Sequence, residues 1–356
     1  MAAIFALTGC AVFSPKVDLK KIPVASIDAT QANGPGIAPG EKSPLVVTVT
    51  EANGKQLRTE GKGKGPVRWR DLAVTSTVAS ANAKGVLTLA KDPRSSEGRL
   101  PHVTIAVPSH PDVKPVELDV PLRYDRAFKA TFTGSSGSSG WDGQDGTDGS
   151  SGSIGSIDLN NPSPGGDGSN GGNGTNGGDG GPGGDGPPVR VVVAIHYPPV
   201  QVSNAAVNSS AVPSAPATGV ANPNPVAANA PILASLPPTS GPLLQVSVTS
   251  GSTEQLFLVD PNGGSLTITS AGGSGGAGGR GGRGGRGGSG GAGIPSGRDG
   301  MSGSDGLGGN FGSNGNGGPI FVTYDPRTKP YLGAIVLKNP GGPKPVLNEM
   351  AVAPLW

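Results

Sequence analysis

Glycine recurs at every third position through four separate stretches of this chain, and no other feature limits its folding so strongly. The first run places glycine at 134, 137, 140, 143, 146, 149, 152 and 155; the second at 165, 168, 171, 174, 177, 180, 183 and 186. The third occupies 272, 275, 278, 281, 284, 287, 290 and 293, and the fourth 297, 300, 303, 306, 309, 312, 315 and 318. Each run carries eight glycines over 22 residues. A period of three is that of a polyproline II helix, which rises about 3.1 Å per residue, so each run would make a rod about 68 Å long. Such a helix has no internal hydrogen bonds. Its backbone groups need partners on a neighbour so near that a Cβ would stand in the way.

Two assemblies meet that demand. In a collagen-type trimer three chains wind together, but the triplets here hold little proline, Pro182 being the clear exception, and no run exceeds eight repeats. In an intrachain bundle the rods fold back on one another, which requires equal run lengths and short connections such as 294–296 and 156–164. The Gly-Gly-X doublets of run three free two of its three faces and suit an interior rod, with runs one and four further out. The glycines expected to carry the closest packing are Gly165, Gly168, Gly171, Gly275, Gly278, Gly281, Gly284 and Gly287.

Charge divides the runs into an acidic and a basic pair. Residues 134–186 contain seven aspartates and no lysine or arginine, whereas 272–318 contain Arg280, Arg283, Arg286 and Arg298 against Asp299 and Asp305. On a threefold helix Asp142, Asp145 and Asp148 form one row and Arg280, Arg283 and Arg286 another. The two pairs are expected to pack together, with exposed ion pairs of about 0–1 kcal/mol each that set register more than they stabilise.

Other readings of the runs compete. The Gly-Gly-Arg triplets resemble RNA-binding RGG boxes, but three arginines without interleaved aromatic residues are a thin case. Calcium-binding nonapeptide repeats do not fit the segment 177–182, although weak divalent-cation binding by the aspartate row stays open. A disordered glycine-rich linker is the plainest alternative, and it needs neither strict phase nor equal run length.

Outside the runs the pattern is one of short strands. Candidates at 21–29, 45–50, 56–59, 67–77, 86–90, 102–107, 113–122 and 127–132 define a β-sandwich domain over 20–133. Asn53-Gly54 marks a hairpin with a primed turn. Trp69 and Phe128 are its large core candidates, Trp69 also being weighed as a ligand platform. Lys62, Lys64, Arg68 and Arg70 read as a solvated basic edge, since the glycines among them lack the phosphate-loop frame. Further strands are expected at 190–197, 243–249, 255–259, 265–269, 320–324 and 331–337, with a hairpin turn at Asp260-Pro261-Asn262-Gly263. The domain organisation expected is thus 1–10, 20–133, 134–186, 187–271 with a disordered insertion at 203–240, 272–318, and 319–356, the last ending in a tail from 339. The fold class is mainly β: a sandwich, an intrachain bundle of polyproline II (polyglycine II) helices, a second small β domain capping one end, and no substantial α-helix.

Composition excludes much chemistry. With 64 glycines, 36 prolines and 4% aromatic residues the chain cannot be one large uniform core. A formal charge of +2 from 27 basic and 25 acidic side chains gives no reason to expect a nucleic-acid partner. One cysteine and three histidines leave neither a disulfide framework nor a zinc cluster, so no metal or cofactor is expected. Asp92, Glu97, His102 and Asp112 are the only acid-base set to consider, and their spacing has no specificity, so no catalytic residue is named and no enzyme is expected.

The start of the chain points to an address. Leu7-Thr8-Gly9-Cys10 after an apolar stretch resembles the lipobox of bacterial lipoproteins, with Cys10 as the lipid attachment site. The positive segment that precedes such a signal is missing, and a start codon further upstream would supply it. Taken with the triplet runs, the Gly-Gly-Arg block, Leu122-Arg123-Tyr124-Asp125 and Leu256-Phe257-Leu258-Val259-Asp260-Pro261, nearly the whole chain resembles uncharacterised glycine-rich lipoproteins of proteobacteria, especially myxobacteria, of the collagen-like type. A looser similarity reaches the polyglycine II bundles of an arthropod antifreeze protein and of phage tail adhesins. The resemblance implies a lipid anchor in a bacterial membrane and a place in the cell envelope, at the outer membrane, but no activity. The function expected is a rigid spacer or adhesive surface protein; the alternative is a module binding a glycan, another surface polymer or a protein through loops at the bundle tip.

Overall fold

The computed structural model describes residues 16–197 and 241–356; Cys10 and the 203–240 insertion lie outside them. The protein is mainly β, with four sheets and only short 3-10 segments beside them among the described residues.

The first unit contains β1 (Val24–Gln31), β2 (Lys42–Glu51), β3 (Gln56–Arg58), β4 (Ala73–Ser76), β5 (Ser80–Ala81), β6 (Val86–Thr88), β7 (His102–Ala106) and β8 (Val116–Asp119). One sheet has the order β1-β2-β6-β5 with β3 also on β2, and another the order β4-β7-β8. Alternation decides the buried face. In β2, Leu45, Val47 and Val49 point inward between half-exposed Val46, Thr48 and Thr50, and they meet Leu87, Val103 and Ile105 in one core. Trp69 is part of that core and no open platform: its Nε1–H donates to the Glu60 carbonyl at 3.3 Å, and a Cβ on Gly85 would overlap its ring. β2 and β3 do form a hairpin at Asn53-Gly54, but only Gly54 takes a positive φ, +85°. A type I′ turn needs both, and a type II′ turn needs it at the first of the two. Asn53 acts instead through its side chain, accepting from the Lys55 N–H at 2.9 Å.

The second unit contains β9 (Ala127–Thr133), β10 (Val189–His196), β11 (Leu243–Ser250), β12 (Thr253–Val259), β13 (Ser265–Ala271), β14 (Ile320–Tyr324), β15 (Ile335–Lys338) and β16 (Val346–Glu349). A five-stranded sheet of order β12-β11-β10-β14-β16 and a three-stranded sheet of order β15-β13-β9 share a core that includes Ala130, Val191, Val246, Ile268 and Val322. Three local expectations change here. The strand at 127–132 leaves the N-terminal unit, because β9 pairs in parallel with β13. Asp260 to Gly263 makes a turn but no hairpin, since β12 and β13 lie in different sheets. The segment after 339 holds β16, which pairs in parallel with β14.

The units touch through the outer side of the five-stranded sheet. Leu243 of β11 and Leu258 of β12 belong to the first unit's core. Asp325 caps the 3-10 segment Pro326–Ala334 and accepts from the Arg327 Nε–H at 2.8 Å and the Val352 N–H at 3.2 Å. The Arg327 guanidinium, aided by these backbone N–H groups, holds the Asp325 carboxyl far below the usual carboxylate range.

The four glycine runs leave this second unit without a linker. β9 passes into run one and β13 into run three, while runs two and four pass into β10 and β14. Because β9 pairs with β13 and β10 with β14, the parallel register of each strand pair continues outward along the runs.

Candidate functional site

The runs are the most distinctive surface of the molecule, and their contacts repeat every triplet. All eight glycine N–H groups of run one, from Gly134 to Gly155, donate to carbonyls between Ala271 and Ala292. Run two donates seven bonds to run one, from Gly166→Ser153 to Gly184→Ser135, and seven more to run four, from Gly168→Arg298 to Gly186→Asn316. Run three donates seven to run two and run four donates seven to run three. Their N···O distances lie between 2.7 and 2.9 Å. Runs two and three therefore each touch all the others, and no hydrogen bond joins runs one and four. The second glycine of every run-three doublet, Gly273 through Gly291, is buried.

Geometry explains the glycines. A Cβ on Gly165, Gly168 or Gly171 would fall onto the carbonyls of Gly291, Gly288 and Gly285 in run three. On Gly275, Gly278, Gly281, Gly284 and Gly287 it would fall onto the carbonyls of Gly312, Gly309, Gly306, Gly303 and Gly300 in run four. Backbone cannot yield as a flexible side chain does, so substitution there forces the runs apart. Pro182 sits in the one row of run two whose N–H groups make no bond to another run, where proline removes nothing.

The aspartate and arginine rows lie side by side, but the bond between them is not an ion pair. Asp142, Asp145 and Asp148 accept through Oδ1 from the backbone N–H groups of Arg280, Arg283 and Arg286 at 2.8, 2.7 and 2.7 Å. No guanidinium of this row lies within 4.0 Å of a carboxylate among the described residues. The same arrangement recurs along run two, where asparagine serves as well as aspartate. Asp167, Asn170, Asn173, Asn176, Asp179 and Asp185 accept from the N–H groups of Arg298, Met301, Ser304, Leu307, Asn310 and Asn316. On the far side Asp299, Asp305 and Asn314 of run four cap Gly290, Gly284 and Gly275. The signal for these rows was present as an Asx residue directly before glycine at period three; counting charges alone passes over the asparagines.

Two apolar features stand out of this polar surface. The connections 156–164 and 294–296 meet at the end remote from the sheets, where the Ile294 N–H donates to the Ser163 carbonyl at 3.0 Å. Ile154, Ile157, Leu159 and Ile294 are exposed there. On the flank, Trp141 of run one and Leu307 of run four are 74% and 73% exposed on either side of run two.

The acidic and histidine residues of the first unit do not converge. Asp92 is held by Arg94, whose guanidinium keeps the carboxyl below its ordinary range, and His102 Nδ1 lies 2.7 Å from Asp119. Asp112 is exposed. Glu97 meets His196 at 2.5 Å and the Trp356 indole N–H, which ties the tail and β10 to the first unit. Lys62, Lys64 and Arg70 are exposed and Arg68 is half-buried. Among the described residues no group of three or more His, Cys, Asp or Glu is arranged to hold a metal, and no helix is long and apolar enough to cross a membrane. No protein-family model, curated protein or solved structure matches the chain.

Proposed function

We propose that this protein is a non-enzymatic rod of the bacterial cell envelope, anchored by lipid at Cys10, and that it acts as a rigid spacer or adhesive surface. In this reading the four runs are polyproline II rods in one intrachain bundle about 68 Å long. The first unit is a β-sandwich near the anchor, and the second unit is the socket from which the bundle projects. The reading places the chain with the glycine-rich envelope lipoproteins its sequence resembles. The observation that carries it is the triplet-periodic ladder linking the runs, continuous with β9, β10, β13 and β14. Rigidity follows from that ladder, because each N–H···O bond adds a net contribution of about 0.5–1.5 kcal/mol and dozens act in parallel on chain segments that have no joint.

Small-angle X-ray scattering with sedimentation on the form beginning at Ala11 tests the architecture. A monomer fitting a β body with a projecting rod supports it; a trimer or random-coil dimensions overturn it. Recovery of acylated protein from a bacterial membrane, and its loss in Cys10→Ser, tests the anchor.

A second reading has its own support. Ile154, Ile157 and Leu159 are exposed apolar side chains at the remote end, which favours a tip that binds a surface polymer or protein.

A further inference from the structure

We infer that the flank of the runs carries a binding groove for an extended neutral glycan, built on Trp141 and its seat at Gly178. The inference rests on the packed arrangement of the runs and is independent of how the chain is anchored.

Trp141 lies flat against run two. An ideal Cβ on Gly178 would stand 2.6 Å from Trp141 Cδ2 and 2.7 Å from Cε2, so the indole covers that backbone unit directly. The glycine at 178 is not demanded by the approach of runs one and two. The same row of run two, read at 166, 169, 172, 175, 178, 181 and 184, accommodates Ser169 and Thr175 opposite Ser150 and Gln144. The row also holds glycine at 166, 172, 181 and 184, opposite Ser153, Thr147, Ser138 and Ser135, so what sets Gly178 apart is the indole that covers it. The ring is 74% exposed and open to solvent on its outer side.

Polar groups of fixed direction surround it. Asn176 Oδ1 accepts from the Leu307 N–H at 2.8 Å, so its Nδ2 donors face no partner among the described residues. Asp179 Oδ1 is occupied by the Asn310 N–H at 2.6 Å and leaves Oδ2 free. Capping bonds therefore orient one donor group and one acceptor beside the ring, three residues apart, or about 9 Å along the run. Leu307 closes the opposite wall of a shallow groove of about 580 Å³.

This chemistry selects the ligand. A flat aromatic face beside directional amide and carboxylate groups suits a pyranose, which presents a C–H face to the ring and hydroxyls to its sides. An aliphatic partner would leave Asn176 and Asp179 unpaired at a cost. An anionic polymer would meet the Asp179 carboxylate, and no lysine or arginine lines the groove to offset it. The groove is shallow and open to solvent.

Calorimetric titration of the full chain with cellohexaose and with the N-acetylglucosamine hexamer tests the proposal, accompanied by tryptophan emission. Binding of either hexasaccharide is expected, with a shift in emission because Trp141 is the exposed tryptophan. Trp141→Ala and Gly178→Ala should each weaken binding roughly tenfold or more, while Trp141→Phe retains part of it and sedimentation stays unchanged. No heat with either ligand at millimolar concentration overturns the proposal, as does undiminished affinity in Trp141→Ala. If scattering shows the rod and titration shows no binding, this inference alone falls; loss of the rod itself removes both readings.

Discussion

The two regions of this protein are held together by opposite means. The β units bury apolar side chains: Leu266, Ile268, Val246 and Val193 are fully enclosed between sheets, and the backbone ladder is a by-product of bringing them there. The glycine runs have almost nothing apolar to bury, and their large apolar side chains, Trp141, Met301, Leu307 and Phe311, point outward. There the backbone is the core. One region is stabilised by area removed from water, about 25 cal/mol per Å². The other depends on hydrogen bonds whose net worth is small singly and which require that nothing, not even a methyl group, comes between the chains.

Substitutions should separate the two regimes. The largest effect is expected in the apolar core, where Leu266→Ala should cost about 2–5 kcal/mol in denaturant unfolding. Because β13 continues into run three, the same variant should also speed amide exchange at Gly273 to Gly291; unchanged protection there would show the runs to be self-supporting. Gly282→Ala adds only a methyl group, yet it would fall on the Gln144 carbonyl, and a loss of about 1–3 kcal/mol is expected. A neutral result would mean that the runs are looser than their hydrogen bonds imply. Asp145→Ala should cost about 1 kcal/mol, in the range of a lost helix cap, and Asp145→Asn should restore most of it, because the acceptor matters more than the charge. Arg283→Ala is the smallest test, expected within about 0.5 kcal/mol of wild type at any salt concentration, since its guanidinium has no carboxylate partner among the described residues.

Acid should act on the β region through Asp325. Its folded pKa is depressed, so its stabilising contribution is complete above the ordinary carboxylate value of about 3.9 and is lost as pH falls below that value towards the folded one. Asp325→Asn should remove that component from the acid limb of a stability-pH curve. An unaltered acid limb would assign it to other carboxylates.

What the sequence made legible follows the same division. Short-range periodicity located β2, β7 and the phase of every run, because each is a local pattern with one physical cause. It could not place β9 with β13, whose paired residues are 138 positions apart with two runs and three strands of another sheet between them. Nor could local alternation tell that the turn at Asp260 carries the chain from one sheet to another. The charge rows were found and their bond misread: like spacing of aspartate and arginine suggests ion pairs, whereas the carboxylates reach the backbone. Asn170, Asn173 and Asn176 show why, for they do the same work without charge.

Those capping rows also bear on how many strands of glycine can lie side by side. An array of such runs has unspent donors on its outer flanks and will accept another row from any neighbour, including a second copy of the same chain, just as an open sheet edge invites pairing. Here the side chains of adjacent runs meet the N–H groups of Gly275, Arg280, Arg283, Gly284, Arg286 and Gly290 in run three and of six residues from Arg298 to Asn316 in run four. A fifth run would find those donors taken. The aspartates and asparagines thus act as terminators of lateral growth, and a chain stripped of them would be expected to grow sideways into fibres.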